Sequence, residues 1–160
     1  MLALDSVHTG CIAISREAKA VRFKTSTVAC DARALVHDMT FLVAHADVYV
    51  QLHSCVLTVI KTFVPIQDVK SIDEVVCALL PSEARQCLAL AARIKAALAE
   101  ELSSVLIFST GIALTELLAK TAAQRHKLNG TLVLDPKMLV DALAYLKLSE
   151  LSGLGDGTVT

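Results

Sequence analysis

Tryptophan is absent from this 160-residue chain, and aromatic residues make up only 4% of it. No apolar run reaches the roughly eighteen residues that a membrane span requires. The nearest, Val105 to Thr115, is broken by Ser109, Thr110 and Gly111. There is no CxxC and no HExxH, which argues against a zinc enzyme. The five cysteines, Cys11, Cys30, Cys55, Cys77 and Cys87, are scattered and odd in number, and the five histidines are equally dispersed. That pattern reads as buried, reduced thiols rather than disulfides, and sets the expectation of a cytoplasmic protein with no membrane partner. The opening residues, MLALDSVHTG, lack the basic start and small-residue cleavage site of a secretion signal. A formal net charge of −1 provides no global basic field of the kind that gathers nucleic acid.

What is present is apolar. The chain is 54% hydrophobic and 19% charged, with many Ala, Leu and Val, so it is expected to fold as a domain of ordinary size with a proper core. Its charge is uneven: Arg16, Lys19, Arg22 and Lys24 place four cations within nine residues, opposed by Glu17 alone. Any contact with a polyanion is expected to start there, although a solvated helix surface is the simpler reading of such a cluster.

Read in order, Cys11 to Ile14 is a short strand. The segment SREAKAV is a short helix capped by Ser15, with Arg16 and Lys19 on one face. Thr27 to Val36 is a second short helix and Thr40 to Val43 a strand. From Asp47 a long helix carries the stripe Val48, Leu52, Cys55, Val56, Val59, Ile60 and Phe63, leaving His53 on the opposite, exposed side. A second long helix, capped by Ser82, runs to about Leu102. SVLIFSTGIA (104–113) is the best candidate for a central strand. Leu114 to Arg125 is helical and ends at Asn129-Gly130, Thr131 to Leu134 is the last strand, and Pro136 starts a short helix to about Tyr145. Strands interleaved with helices, including one hairpin with no helix inside it, predict an α+β fold: a ferredoxin-like mixed sheet with helices mainly on one face.

The hairpin is VPIQDVKSIDEVVCALL, from Val64 to Leu80. Two apolar segments flank a polar insertion that ends in the adjacent carboxylates Asp73 and Glu74. In a regular strand these point to opposite faces, so one site uses both only where the backbone bends. Ser71, Asp68 and Lys70 supply that bend. Adjacent carboxylates are suited to magnesium, and paired ions about 3.5–4 Å apart hold the attacking and leaving oxygens in phosphoryl transfer. The plainer reading of an Asp-Glu pair is a solvated turn.

Three segments in this order resemble the Y-family translesion DNA polymerases, the group of bacterial DNA polymerase IV and the UmuC proteins. IAISREAKAVRFKT (12–25) is similar to the fingers motif, SIDE (71–74) to the palm signature, and GIALTELLAKTAAQRHKLNG (111–130) to a pattern of Gly-Ile-Ser/Ala, a polar triplet, an Ala-Lys step and a closing Lys-Pro-x-Gly. LSELSGLG (148–155) resembles the opening of the thumb's helix-hairpin-helix. The resemblance implies a polymerase palm over 41–135, part of the fingers over 1–40 and the start of a thumb over 136–160. It also implies that Asp73 and Glu74 are catalytic residues and ligands of a two-Mg2+ site. Arg16, Lys19 and Lys127 then hold the incoming nucleotide, and the partners are a DNA primer-template and a dNTP.

The departures from the pattern bear on activity. The family's first strand carries a further metal-binding Asp followed by two aromatics; Asp5 has no such aromatics after it and lies too close to the fingers segment to serve. Arg16 stands where the family has an aromatic, Arg22 where it has Gly, Leu114, Thr115 and Glu116 in the polar triplet, and Leu128 where it has Pro. Glu116 is expected to repel DNA or nucleotide. These differences imply a form truncated at both ends, partial or catalytically impaired, since loss of one ligand from a two-metal site costs orders of magnitude in rate. The alternative is a non-catalytic palm-like module that binds DNA or a repair partner. The plainest reading is an α+β scaffold in which SIDE is only a turn.

Overall fold

The computed structural model describes residues 2–4, 11–20, 28, 32 and 40–138. Most of the expected helix over Thr27 to Val36, most of the helix after Pro136 and the whole of LSELSGLG lie outside the described residues. The chain divides into two compact units, 1–50 and 51–160, and the division falls inside one helix.

The first unit holds a three-stranded sheet in the order β2-β1-β3. Strand β1 (Leu2–Leu4) pairs antiparallel with β2 (Cys11–Ile14) and parallel with β3 (Phe41–Val43). Helix α1 (Arg16–Ala20) follows β2 directly, and Ser15 caps it by accepting the Ala18 amide at 3.3 Å. Cys11 and Ala18 are buried.

The second unit contains most of α2 (Ala46–Lys61), which leads into the hairpin of β4 (Ile66–Ser71) and β5 (Glu74–Cys77). A short helix, α3 (Pro81–Ala84), then precedes α4 (Cys87–Glu101). Strand β6 (Thr110–Ile112) is followed by α5 (Glu116–Arg125) and by β7 (Thr131–Val133), which pairs parallel with β6. A 3-10 turn spans Pro136–Met138. Val59 and Ile60 at the end of α2 and Val64, just beyond it, form the core of this unit with Leu98 of α4. Phe63, Val75, Cys77, Ile94 and Phe108 are packed around them.

The fold is α+β, as the sequence pattern predicts, but the described strands form three small sheets and not one mixed sheet. The region 104–113 contributes only Thr110–Ile112 as strand. A ladder extends only as far as its partner, and β7 offers three residues. Val105 and Ile107 are accordingly 82% and 51% exposed. The apolar stripe of α2 is buried only towards its C-terminal end, since Val48 and Cys55 are exposed. The expectation of uniformly buried thiols is corrected at the same point: Cys11 is buried, Cys55 is exposed, and Cys77 and Cys87 lie between.

The long helix expected from Ser82 is two helices. Leu80 is the cap residue of α3, Pro81 occupies its first turn, and the Glu83 carboxylate reaches back to accept the Leu80 amide at 2.7 Å. The chain leaves helical geometry at Gln86 (φ −119°, ψ 20°) before α4 begins.

Thr115 caps α5, its hydroxyl accepting the Leu118 amide at 3.4 Å. At that length the bond is weak, and Thr115→Ala is expected to cost about 0.5–1 kcal/mol. Urea denaturation of the two proteins measures it, and a cost near zero would mean that solvent satisfies the Leu118 amide equally well.

Candidate functional site at the hairpin tip

The strands of the hairpin meet at the pair Ser71 and Glu74, so Ile72 and Asp73 alone form the turn. Two-residue hairpin turns favour mirror-image types with positive φ, which match the twist of the strands. Neither Ile72 nor Asp73 has positive φ. The register instead shifts between Val69 and Ser71, where Lys70 is the extra residue, and this bulge absorbs the mismatch in twist. The backbone therefore bends where the sequence required it to, with Asp73 in the turn and Glu74 opening β5.

Three contacts hold the tip. The Ser71 hydroxyl donates to Asp73 Oδ1 at 2.6 Å and accepts from the Asp73 amide at 3.4 Å, a local turn that fixes the carboxylate. His53 Nδ1 lies 2.9 Å from the Ile72 carbonyl. Because a carbonyl only accepts, Nδ1 is the donor in this contact. The reading of His53 as a free surface residue is thus corrected: it is half-buried and ties α2 to the tip. The third contact is an ion pair from α5, with Lys120 Nζ 2.9 Å from Glu74 Oε2.

One helical turn before Lys120, Glu116 receives Lys70 Nζ at 3.0 Å, and Lys70 also pairs with Asp68 at 2.6 Å. These contacts hold the Lys70 ammonium above its ordinary pKa, Asp68 contributing most and Glu116 next, while Lys70 lowers that of Asp68. Glu116 and Lys120 are four apart on α5, and so on one face, which meets Lys70 and Glu74 with opposite signs. The charge of Glu116, expected to repel a polyanion, is met within the protein.

Sequence reasoning missed Lys120 and His53 as neighbours of the site, and the pairing of Lys70 with Glu116. The Glu-x-x-x-Lys spacing of 116 and 120 was the available signal, but spacing alone does not say what a helix face meets.

Arg16 and Lys19 belong to α1 of the first unit, and Lys19 is exposed. Lys127 is exposed in the turn that follows α5. That turn has an unusual backbone, with Leu128 at φ 77° and Asn129 at φ 74°. Lys95 of α4 closes it, its ammonium donating to the carbonyls of Asn129 at 2.7 Å and Gly130 at 2.8 Å. Burial lowers the pKa of Lys95.

The donor chemistry at the tip can be tested against magnesium. Among the described residues no three His, Cys, Asp or Glu side chains group as a metal cage. Two adjacent carboxylates on an exposed turn nonetheless suit Mg2+, which keeps several waters and is bound through one or two carboxylates together with phosphate oxygens.

A sequence model of the impB/mucB/samB family matches residues 3–124, a span that contains the SIDE turn and most of α5. The chain belongs to this family. DNA polymerase IV of Moorella thermoacetica is 31% identical over 156 residues, covering 92% of this chain and 37% of the relative. Among solved structures, the Dbh ternary complex, with substrates partially disordered, superposes with a TM-score of 0.85 at 21% identity. That likeness covers 97% of this chain and 46% of Dbh. A Y-family DNA polymerase chimera of Dbh and Dpo4 gives the same TM-score and identity, over 97% of this chain and 47% of the chimera. This impB/mucB/samB chain therefore has the fold of the Y-family structures and spans less than half the length of each protein it is compared with. The resemblance read from its three ordered segments holds.

Proposed function

We propose that the chain is the palm-and-fingers part of a translesion DNA polymerase, with partial fingers over 1–40, palm over 41–135 and the start of a thumb over 136–160. Asp73 and Glu74 are its metal-binding carboxylates, and Arg16, Lys19 and Lys127 are its nucleotide-binding cations. The partners are a dNTP and a DNA primer-template. The observation that carries this reading is the bulged hairpin tip, which presents both carboxylates at one bend and backs each with its own partner.

Asp73 and Glu74 would hold the divalent ions, which when bound would supply charge stabilisation for attack of a 3′-hydroxyl on an α-phosphate. The protein's own part is to keep Asp73 fixed by Ser71 and the turn fixed by His53, so that little ordering remains to be done when substrate arrives.

The test is a dNTP titration in the presence of Mg2+ or Mn2+. Binding is expected to require the metal, and Asp73→Ala and Glu74→Ala are each expected to weaken it by at least about tenfold, or roughly 1.4 kcal/mol. If there is no binding while circular dichroism shows an intact fold, the second reading replaces the first. That reading, a non-catalytic module contacting DNA or a repair protein, is favoured by Leu114 and Leu128. They are 76% and 51% exposed, and they stand where the family pattern is polar or proline.

A further inference from the structure

We infer that Lys120 is a resident counter-cation of the hairpin tip, a positioning residue that makes the Asp73-Glu74 pair favour a metal carried by a polyphosphate over a bare divalent ion. The inference rests on the metal-binding reading of that pair. Its basis is the ion pair itself. Lys120 Nζ sits 2.9 Å from Glu74 Oε2, with both side chains about one-third exposed, at 36% and 33%. The ammonium reaches the tip from a different element, and α5 is anchored beside it by the second pair of Glu116 with Lys70 at 3.0 Å.

Two consequences follow from charge and geometry. One Glu74 oxygen already has a cation as its partner, so a bare divalent ion must displace Lys120, share that oxygen with it, or take the other oxygen alone. Such an ion also meets a positive charge held close by, and like charges a few ångströms apart disfavour one another even in high dielectric. A metal bound to a nucleoside triphosphate carries net negative charge, so the same ammonium attracts it. Lys120 thereby keeps Glu74 in place before substrate arrives and discourages binding of the metal alone. Its counterpart Lys70 is spent on Asp68 and Glu116 and does not perform this role.

The experiment is Mn2+ binding to the whole chain without nucleotide, read by electron paramagnetic resonance, and then Mg2+-dependent dNTP binding by the same variants. Lys120→Ala is expected to bind bare Mn2+ about three- to tenfold more tightly, by removal of one nearby charge. Its Mg2+-dependent dNTP affinity is expected to be weaker, since the same charge that opposes the bare ion attracts the metal-bound triphosphate. Lys120→Arg is expected to restore the original Mn2+ affinity. Lys120→Met, which keeps helix propensity and apolar bulk, repeats the alanine result if that variant folds poorly. Lys61→Ala is the charge control. It changes net charge equally, at a position about 12 Å along α2 from His53, by the helical rise over eight residues.

Mn2+ affinity unchanged or weakened in a folded Lys120→Ala overturns the inference, as does an equal tightening in Lys61→Ala. In either case the metal-site reading survives, provided that Asp73→Ala and Glu74→Ala abolish Mn2+ binding. Binding that those two variants leave intact, or no binding in any variant, overturns both.

Discussion

Gly111→Ala is expected to destabilise the protein by about 3–5 kcal/mol, a large share of the total stability of a domain this size. A Cβ at this position would collide with the Ala119 carbonyl and lie 2.6 Å from the Ala123 amide nitrogen. Both are backbone atoms of α5, and neither can rotate aside. The methyl group fits only if the helix moves off β6. Ala122, on the same helix, is 0% exposed, which leaves no slack for such a movement. Since α5 also carries Lys120 and Glu116, the displacement would pull both ion pairs from the hairpin tip. Urea denaturation gives the loss of stability, and Mn2+ binding reports the loosened tip. A cost below about 1 kcal/mol would show that the helix packs less closely on the strand than the structure has it. This accounts physically for the Gly in Gly-Ile-Ala: it is the residue that lets α5 touch the sheet.

Leu128→Pro is expected to cost about 3 kcal/mol, although it restores the residue that the family pattern carries there. Proline fixes φ near −65°, while Leu128 sits at φ 77°. The turn would have to rebuild, and Lys95 would lose its two carbonyl acceptors at Asn129 and Gly130. A partly buried ammonium left without those partners adds to the cost. Leu128→Gly runs the other way. It relieves a conformation costing a bulky residue roughly 1–2 kcal/mol and gives part of that back in unfolded-state entropy, for a net gain of about 0.5–1 kcal/mol. Paired denaturation curves decide it: a proline variant as stable as the parent would mean that this turn is built differently from the positive-φ pair. The position also bears on function, because Lys127 is presented by this turn.

Much of the local structure is legible from residue types. Ser15 before an Arg-Glu-Ala-Lys segment marks the start of α1, and Thr115 marks that of α5, because short polar side chains satisfy the free amides of a first turn. The three-and-four spacing in Val56, Val59, Ile60 and Phe63 reads as a core face, and these residues do lie in or against the core. Farther along, the same kind of reading fails. Val48 and Cys55 fit the stripe yet are exposed, since periodicity shows which residues share a face but not how far the covering element extends. Ser82 looks like a cap, but the neighbouring Pro81 and the back-reaching Glu83 move the helix start to Leu80. The apolar run 104–109 has strand composition, but among the described residues no strand pairs with it.

By itself the sequence determined that a hairpin would present Asp73 and Glu74 at a bend, that α5 would follow a Gly-Ile-Ala step, and that both belong to one ordered family pattern. Those are properties of neighbours along the chain, set by turn chemistry, capping and side-chain period. Only the tertiary structure decided what stands around the carboxylates. Lys120 and His53 reach the tip from helices 46 and 19 residues away in sequence. Glu116 finds Lys70 across the same gap. Contacts of that range depend on how helices seat on strands, and Gly111 sets that seating for α5 through a close approach of backbones that no local pattern encodes.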